Sequence, residues 1–598
     1  MSVEHIKTWA PLPSTTRATS VHLSYDKRTD RIVYAANKSI FIRSVSNPER
    51  STQYTQHTQS TTVAKFSPSG YYVASGDASG SVRVWDASGE DMITKGEYKV
   101  ISGRINDLDW DADSQRIIAV GNGKERYGHC FTYDSGNTVG EISGHSGIVN
   151  AVSIRPCRPY RAATVSDDSA MVFYTGPPFK FNSTVRGNHS NFVHDIRFSP
   201  NGEYIVSVGA DRKIALYDGK TGEFKNFIGE GEHHGSIFAV SWSNDSTKFA
   251  TSSADATVKL WEASSGSLLK TWAFEKVLDS HQVGVVFVGD DKIISLSYCG
   301  DLNYLRVSSD TPERVISGHQ KNITALKVSA DANIIFSGSY DGKVLVWDAS
   351  QGTASYIGGD GHSNFVVSLK RDSSGKIWST GWDDVIKTID GESFSGSSFA
   401  VGAQPKALSA KGNLVAVITE NNLQVLREGV KCSSVSLPSN ATSLSISKDF
   451  VAVGSQDNSI RLYNLLDLSP SKNLPSLRAV PTYLSFSSSG ALLAAGDSTG
   501  KITLYDAETG TVITSRWAFH SGRINSISWH PTDDFIVSGS LDTNVYIYSV
   551  KTPSKNAKFL GAHKDGVNAV EWITDSTFVS AGADAAIKWW NVKLPASS

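Results

Sequence analysis

At 598 residues the chain exceeds the size at which one hydrophobic core keeps growing, so two or more domains are expected. Its 57 Lys+Arg against 59 Asp+Glu leave a formal charge of -2 with no block of like charge, which excludes the electrostatic footprint of a nucleic-acid binder. There is no run of about 18 apolar residues for a membrane span and no signal-peptide core in the opening MSVEHIKTWAPLPSTTR. The cysteines, Cys130, Cys157, Cys299 and Cys432, contain no C-x-x-C pair, so a soluble cytosolic chain with reduced thiols is the expectation.

Taken in chain order, the first strand signal is VEHIKTWAP (3–11), which has no pairing partner close by. A degenerate unit, RIVYAANKSIFIRSV (31–45), follows, and then one phrase recurs: SGDASGSVRVWD (75–86), SVGADRKIALYD (207–218), TSSADATVKLWE (251–262), SGSYDGKVLVWD (337–348), VGSQDNSIRLYN (453–464), SGSLDTNVYIYS (538–549) and SAGADAAIKWWN (580–591). Each reads as strand, Asp-containing tight turn and strand ending in an aromatic. Upstream of many lies Gly-His or Asn-His and a further alternating run, as in GHSGIVNAVSI (144–154), NHSNFVHDIRF (188–198), GHQKNITALKV (318–328) and AHKDGVNAVEW (562–572). A self-similar unit of this length means a repeat architecture, and its four strands make an antiparallel blade.

The unit resembles the WD-repeat of β-propellers, in which a loop His, a strand Ser or Thr, a turn Asp and the Trp form one hydrogen-bonded set. His319, Ser337, Asp341 and Trp347 fit that set. A buried Asp and a buried Trp N–H must both be satisfied, and a neutral His can donate on one side and accept on the other. Such sets mimic catalytic triads, but their recurrence in unit after unit is what scaffolding does.

The aromatic anchors, or their substitutes, fall at Trp85, Tyr133, Tyr174, Tyr217, Trp261, Leu305, Trp347, Ile389, Leu426, Tyr463, Tyr505, Tyr548 and Trp590. With the degenerate first unit these make fourteen blades, too many for one ring of about 4–8. The expected fold is all-β, two seven-bladed WD-repeat β-propellers, with domains 12–315 and 316–598. The last unit has too little chain for its outer strand, so residues 3–11 are expected to supply it and protect an open sheet edge; the alternative is that they close the first ring.

Apparent chemical motifs dissolve in this frame. GDSTGKIT (496–503) has one residue too few between its glycines for a phosphate loop and opens no helix. EGEHH (230–234) occupies a Gly-His loop position, and the pairs Asp383-Asp384 and Asp533-Asp534 fall in turns, where carboxylates cap backbone amides. No catalytic residue, cofactor or metal is expected, and an acid or metal cluster at a ring centre is not evident.

Departures from the repeat carry more information. GNGKERYGHCFTYD (121–134) lacks both Asp and His of the set and replaces them with a longer, charged loop, and loops on rigid scaffolds are where binding usually lives. GPPFKFNST (176–184) places Phe179 and Phe181 where an outer strand begins; alternation would put both on one partly solvated face. NHSNFVHD adds Phe192 on a rim loop.

These departures, together with TVAKFSPSGYYVASGDASGSVRVWD (62–86), VGEISGHSGIVNAV (139–152), PCRPYRAATVSDD (156–168), YDGKTGE (217–223) and SLSYCGDLNYL (295–305), resemble the actin-interacting protein 1 family. The resemblance is most specific in the first half and rests on unit count and spacing beyond it. It implies a non-enzymatic, monomeric factor of the cytoplasm and cortical actin structures. Such a factor binds actin filaments with actin-depolymerising factor/cofilin, promotes their severing and disassembly, and extends to occupying filament ends. It implies neither a nucleic-acid nor a membrane partner. Carried to matching positions, the family's interaction residues are Glu125, Asp167, Phe181 and Phe192, with Lys124 and Arg126 beside Glu125. Asp168 sits at the repeat's own turn-Asp position, which leaves Asp167 the freer acid. A general WD-repeat scaffold for a multiprotein complex is the alternative reading; an enzyme carried by a propeller is a third.

Overall fold

The computed structural model describes residues 1–594 and places nearly all of them in short antiparallel strands and turns. The chain divides into two compact units, Leu12–Gln320 and Met1–Pro11 with the chain from Lys321 onward. Each carries seven four-stranded blades, at 24–54, 61–99, 105–141, 149–185, 193–228, 237–273 and 282–316 in the N-terminal unit, and at 323–356, 366–400, 407–436, 441–474, 481–517, 524–559 and 567–593 in the C-terminal unit. Within each unit the innermost strand of every blade touches that of the next, and the seventh touches the first, so each unit is a closed ring. The strand Arg314–Ile316 is the outer strand of blade seven, so the first ring runs past the expected limit at 315.

The blade is built from local rules. In blade two Asp77 caps the turn: its carboxylate accepts the backbone N–H of Ser79 at 2.9 Å and of Ser81 at 3.2 Å. Gly80 adopts φ +90, and a Cβ there would lie 2.1 Å from the Ile101 carbonyl oxygen, so only glycine fits. Alternating apolar residues then bury between neighbouring blades, as Val63, Val82, Ile105, Trp110, Ile117 and Phe131 do between blades two and three.

The expected hydrogen-bonded set recurs in both rings. His57 Nδ1–H donates to Asp77 at 3.0 Å, the Ser75 hydroxyl lies 2.8 Å from His57 Nε2, and Trp85 Nε1–H donates to Ser75 at 3.1 Å. His233, Thr251, Asp255 and Trp261 repeat it in blade six, which accounts for EGEHH, and His362 takes Asp383 in blade nine. In blade eight Trp347 Nε1–H donates to Ser337 at 2.7 Å and Asp341 accepts from the Lys343 N–H, while His319 is buried. Burial alone would raise the Asp77 pKa, but hydrogen bonds from His57, Ser79 and Ser81 outweigh it and bring it down to about 2. Asp497 likewise caps the turn in GDSTGKIT through Thr499 and Lys501 N–H groups.

Two readings need correction. In blade three the anchor is Phe131, not Tyr133: Phe131 pairs with Ile117 in the register in which Trp85 pairs with Val73, and it is fully buried. Tyr133 lies beyond the strand Gly128–Thr132 and is only partly buried. Phe179 and Phe181 do not share a face. Phe179 precedes the strand Lys180–Val185, bridges to Gly140 and is 1% exposed, whereas Phe181 is 48% exposed.

The C-terminal ring is completed by the strand Ser2–Trp9, which pairs antiparallel with Ile587–Lys593 from Ser2 opposite Lys593 to Trp9 opposite Ile587. Trp9 is 1% exposed, stacks on Trp347 at 5.4 Å and meets Trp589 edge-on at 5.3 Å. The Lys7 ammonium lies over the Trp589 ring, 4.4 Å from its centroid, as a cation–π contact.

Candidate partner-binding site

The loop of blade three is hydrogen-bonded at its base and exposed at its tip. Gly121 N–H donates to Tyr127 O at 2.8 Å, Asn122 N–H to Arg104 O at 2.8 Å, and Lys124 N–H to the Ser102 hydroxyl at 3.2 Å. Gly123 passes so close to the Arg126 carbonyl that a Cβ would lie 1.7 Å from that oxygen. Lys124, Glu125 and Arg126 are thereby held out to solvent. Arg126 is matched by Glu141 at 3.3 Å, while Glu125 makes no ion pair or side-chain hydrogen bond among the described residues. An exposed carboxylate on a braced loop keeps its full charge available to a partner. Cys130, within the following strand, is buried, and burial pushes its thiol up to about 12, so it is a packing residue.

Blades four and five continue the same rim. Asp167 follows the strand Arg161–Ser166 and is half-buried; Asn150 donates one amide hydrogen to it at 2.8 Å and another to the Val193 carbonyl at 2.9 Å. Asn150 therefore ties Asp167 to the segment that carries Phe192, which is 49% exposed. Asp168, by contrast, is consumed by the blade: His145 at 3.1 Å and the Ser146 and Ala170 N–H groups hold it, and these bonds outweigh burial to keep its pKa low. Phe181 lies over Gly144, where a Cβ would come within 2.7 Å of its ring. Tyr127 reaches Ser146 O at 3.5 Å, linking the Glu125 loop to blade four. Glu125, Asp167, Phe181 and Phe192 thus occupy three consecutive blades linked through Tyr127 and Asn150, and supply both exposed apolar rings and carboxylates.

A second group escaped the sequence reading. Across the channel of the N-terminal ring, Arg197 of blade five reaches over blade four to Asp107 of blade three at 2.8 Å and holds Asp195 at 3.0 Å; Lys65 of blade two sits 3.0 Å from Asp107. Arg197 also donates to His22 Nδ1 at 2.8 Å. His22, Asp107 and Asp195 are all buried, so an acid cluster does stand at a ring centre, contrary to expectation. Its donor atoms face Arg197 and Lys65 at hydrogen-bond distance, and a metal ion there would meet two positive charges; the set is a salt-bridge plug. Burial lowers the His22 pKa, while Arg197 and Lys65 hold Asp107 well below the ordinary carboxylate range against burial. The only linear signal was a charged residue at channel positions in TTVAKF, INDLDW and VHDIRF; the residues themselves are far apart in sequence.

Blades closed by His–Ser–Asp sets, two rings and a loop-built rim define a WD-repeat protein. The family model described as WD domain, G-beta repeat matches residues 48–86, 179–218, 225–262, 310–348, 512–549 and 554–591. Actin-interacting protein 1 of Drosophila melanogaster is 36% identical over 99% of this chain and 98% of its own length. The protein of the same name in Caenorhabditis elegans is 36% identical over 97% of this chain and 98% of its own. An uncharacterised WD repeat-containing protein of Schizosaccharomyces pombe is 45% identical over 99% of this chain and 100% of its own. The chain belongs to the actin-interacting protein 1 family.

Proposed function

We infer that this chain binds actin filaments and, with actin-depolymerising factor/cofilin, promotes their severing and disassembly, and that it also occupies newly made filament ends. It does so as a monomer in the cytoplasm and its cortical actin structures, by binding and not by catalysis. Full-length similarity to relatives named for interaction with actin supports the partner. The observation that carries the surface is the unpaired, exposed Glu125 on a braced loop, contiguous through Tyr127 and Asn150 with exposed Phe181 and Phe192. Carboxylates would meet basic groups of the filament, and the two rings would fill apolar hollows as anchors. Lys124 and Arg126 flank the acid and tune its field.

Severing needs no reactive group. A clamp that binds the cofilin-altered filament better than the plain one favours the altered state by the same free energy, so breakage follows from differential affinity. The His–Ser–Asp sets that could suggest hydrolysis are spent on holding blades together. The test is co-sedimentation and filament-length imaging, with and without cofilin, of the wild type and a Glu125→Ala/Phe181→Ala double variant. Enhanced pelleting and shorter filaments only with cofilin, both lost in the variant, are expected. Equal pelleting with and without cofilin and unaltered filament length would refute the function; a variant that retains full synergy would refute the surface alone.

A further inference from the structure

The channel of the C-terminal ring differs in kind from the plug just described. It contains a cavity of about 460 Å³, walled by the innermost strands of all seven blades and by Phe365, Trp382 and Gln456 at one mouth. Small side chains line its middle, among them Ala325, Ser443, Ser526 and Ala569, where the N-terminal ring has Asp107, Asp195 and His22. Its charged lining is Lys370, Lys406, Arg523 and one carboxylate, Glu571, and Glu571 is already paired with Lys327.

Lys370 is largely buried yet faces no carboxylate within ion-pair distance among the described residues. Its partner is the Tyr483 hydroxyl, 3.2 Å away on blade twelve, so it projects across the channel. Burial alone would lower its pKa, but Tyr483 and the more distant Glu571 outweigh that and hold it above the ordinary lysine value, so the ammonium is charged at neutral pH. Arg523, at the mouth, makes no side-chain hydrogen bond or ion pair among the described residues. Lys370, Lys406 and Arg523 make no ion pair among the described residues, and the one carboxylate of the lining is shared with Lys327, so positive charge exceeds negative around the cavity, and a pocket of this size suits a compact ligand.

We propose that the channel of the C-terminal ring is a binding site for a compact, multiply phosphorylated small molecule, with Lys370 and the Tyr483 hydroxyl taking the deepest phosphate and Arg523 and Lys406 taking those nearer the mouth. Phosphate suits this lining because it accepts from ammonium, guanidinium and hydroxyl donors at once, and because several groups on one small frame match three separated cations. A free metabolite and the headgroup of a phosphoinositide share this chemistry.

Isothermal titration of the full chain with inositol 1,4,5-trisphosphate and with pyrophosphate tests it. One-to-one binding is expected, weakened about tenfold or more by Lys370→Met and by Arg523→Gln. Arg523 is exposed at the mouth, so its variant keeps the test valid if Lys370→Met fails to fold. Arg104→Gln, the arginine of the matching SGRIN loop in the N-terminal ring, should leave binding unchanged. Absence of binding by the wild type, unchanged affinity in both channel variants, or an equal loss in Arg104→Gln would each overturn the proposal. Flotation with phosphatidylcholine vesicles, with and without phosphatidylinositol bisphosphate, identifies the source: vesicle capture that inositol trisphosphate competes away assigns a lipid headgroup, and trisphosphate binding without capture assigns a soluble ligand.

Discussion

The two rings share one blade and part company at their centres. In the N-terminal ring the channel positions carry His22, Lys65, Asp107, Asp109, Asp195 and Arg197, and both cations are ion-paired with carboxylates there. In the C-terminal ring most of the same positions are Ala or Ser; Lys327 is matched by Glu571, whereas Lys370 makes no ion pair among the described residues. The blade-to-blade contacts that hold a propeller together thus leave the axis free, and the axis can be spent on rigidity in one ring and left open in the other. The first ring is also the one that bears the hydrogen-bonded Glu125 loop, the surface proposed for the partner.

The largest effect should come from deleting residues 1–11. The C-terminal ring would lose a whole strand and the buried Trp9, whose removal alone is worth about 3–5 kcal/mol. Calorimetry should show its transition collapse while that of the N-terminal ring stays; an equal drop in both would mean that the rings are not separate cooperative units. Next is Arg197→Met, which leaves Asp107 and Asp195 buried with too little positive charge and should destabilise by about 3–5 kcal/mol in urea titrations. Lys370→Met, by contrast, should change stability by less than about 1 kcal/mol, because no buried carboxylate is orphaned. Similar losses for the two would erase the distinction between plug and open channel.

A smaller effect is set by pH. Burial holds His194 at about 4, so it stays neutral in the folded N-terminal ring while the unfolded chain takes up a proton below the ordinary value of 6.5. The unfolded state then binds more protons, and stability is full above pH 6.5 and falls as pH drops from there toward 4, by about 2 kcal/mol at pH 5 for this residue. Melting curves between pH 7 and 5 should show the decline, and His194→Asn should remove that part of it. The smallest effect on stability is Phe181→Ala, expected within about 0.5 kcal/mol because the ring is half-exposed, although filament binding with cofilin should drop.

Much of the rim was readable in the linear chain, for a specific reason. GNGKERYGHCFTYD and GPPFKFNST stand out because the surrounding repeat states what an ordinary blade would have there, so surplus charge or an unscheduled proline is visible as a departure. The same method misplaced the anchor of blade three by two residues. The loop before it is enlarged, and only the register of Phe131 against Ile117 tells strand from loop. It also misjudged Phe179, since alternation describes a strand and Phe179 lies just outside one, packed against the Gly140 backbone of the neighbouring blade.

By itself the sequence determined the all-β blade, its Asp-capped turns, its His–Ser–Asp sets and the number of units. Each of these follows from contacts within one repeat, where side-chain period and turn chemistry are local. Only the tertiary structure decided that Trp9 packs beside Trp347 and Trp589, that Arg197 reaches Asp107 across an intervening blade, and that Lys370 lies in a cavity with only a tyrosine hydroxyl for a partner. Those contacts join residues of different repeats, whose partners are not fixed within one unit. They exist because closing a ring brings the innermost strands of distant repeats around one axis.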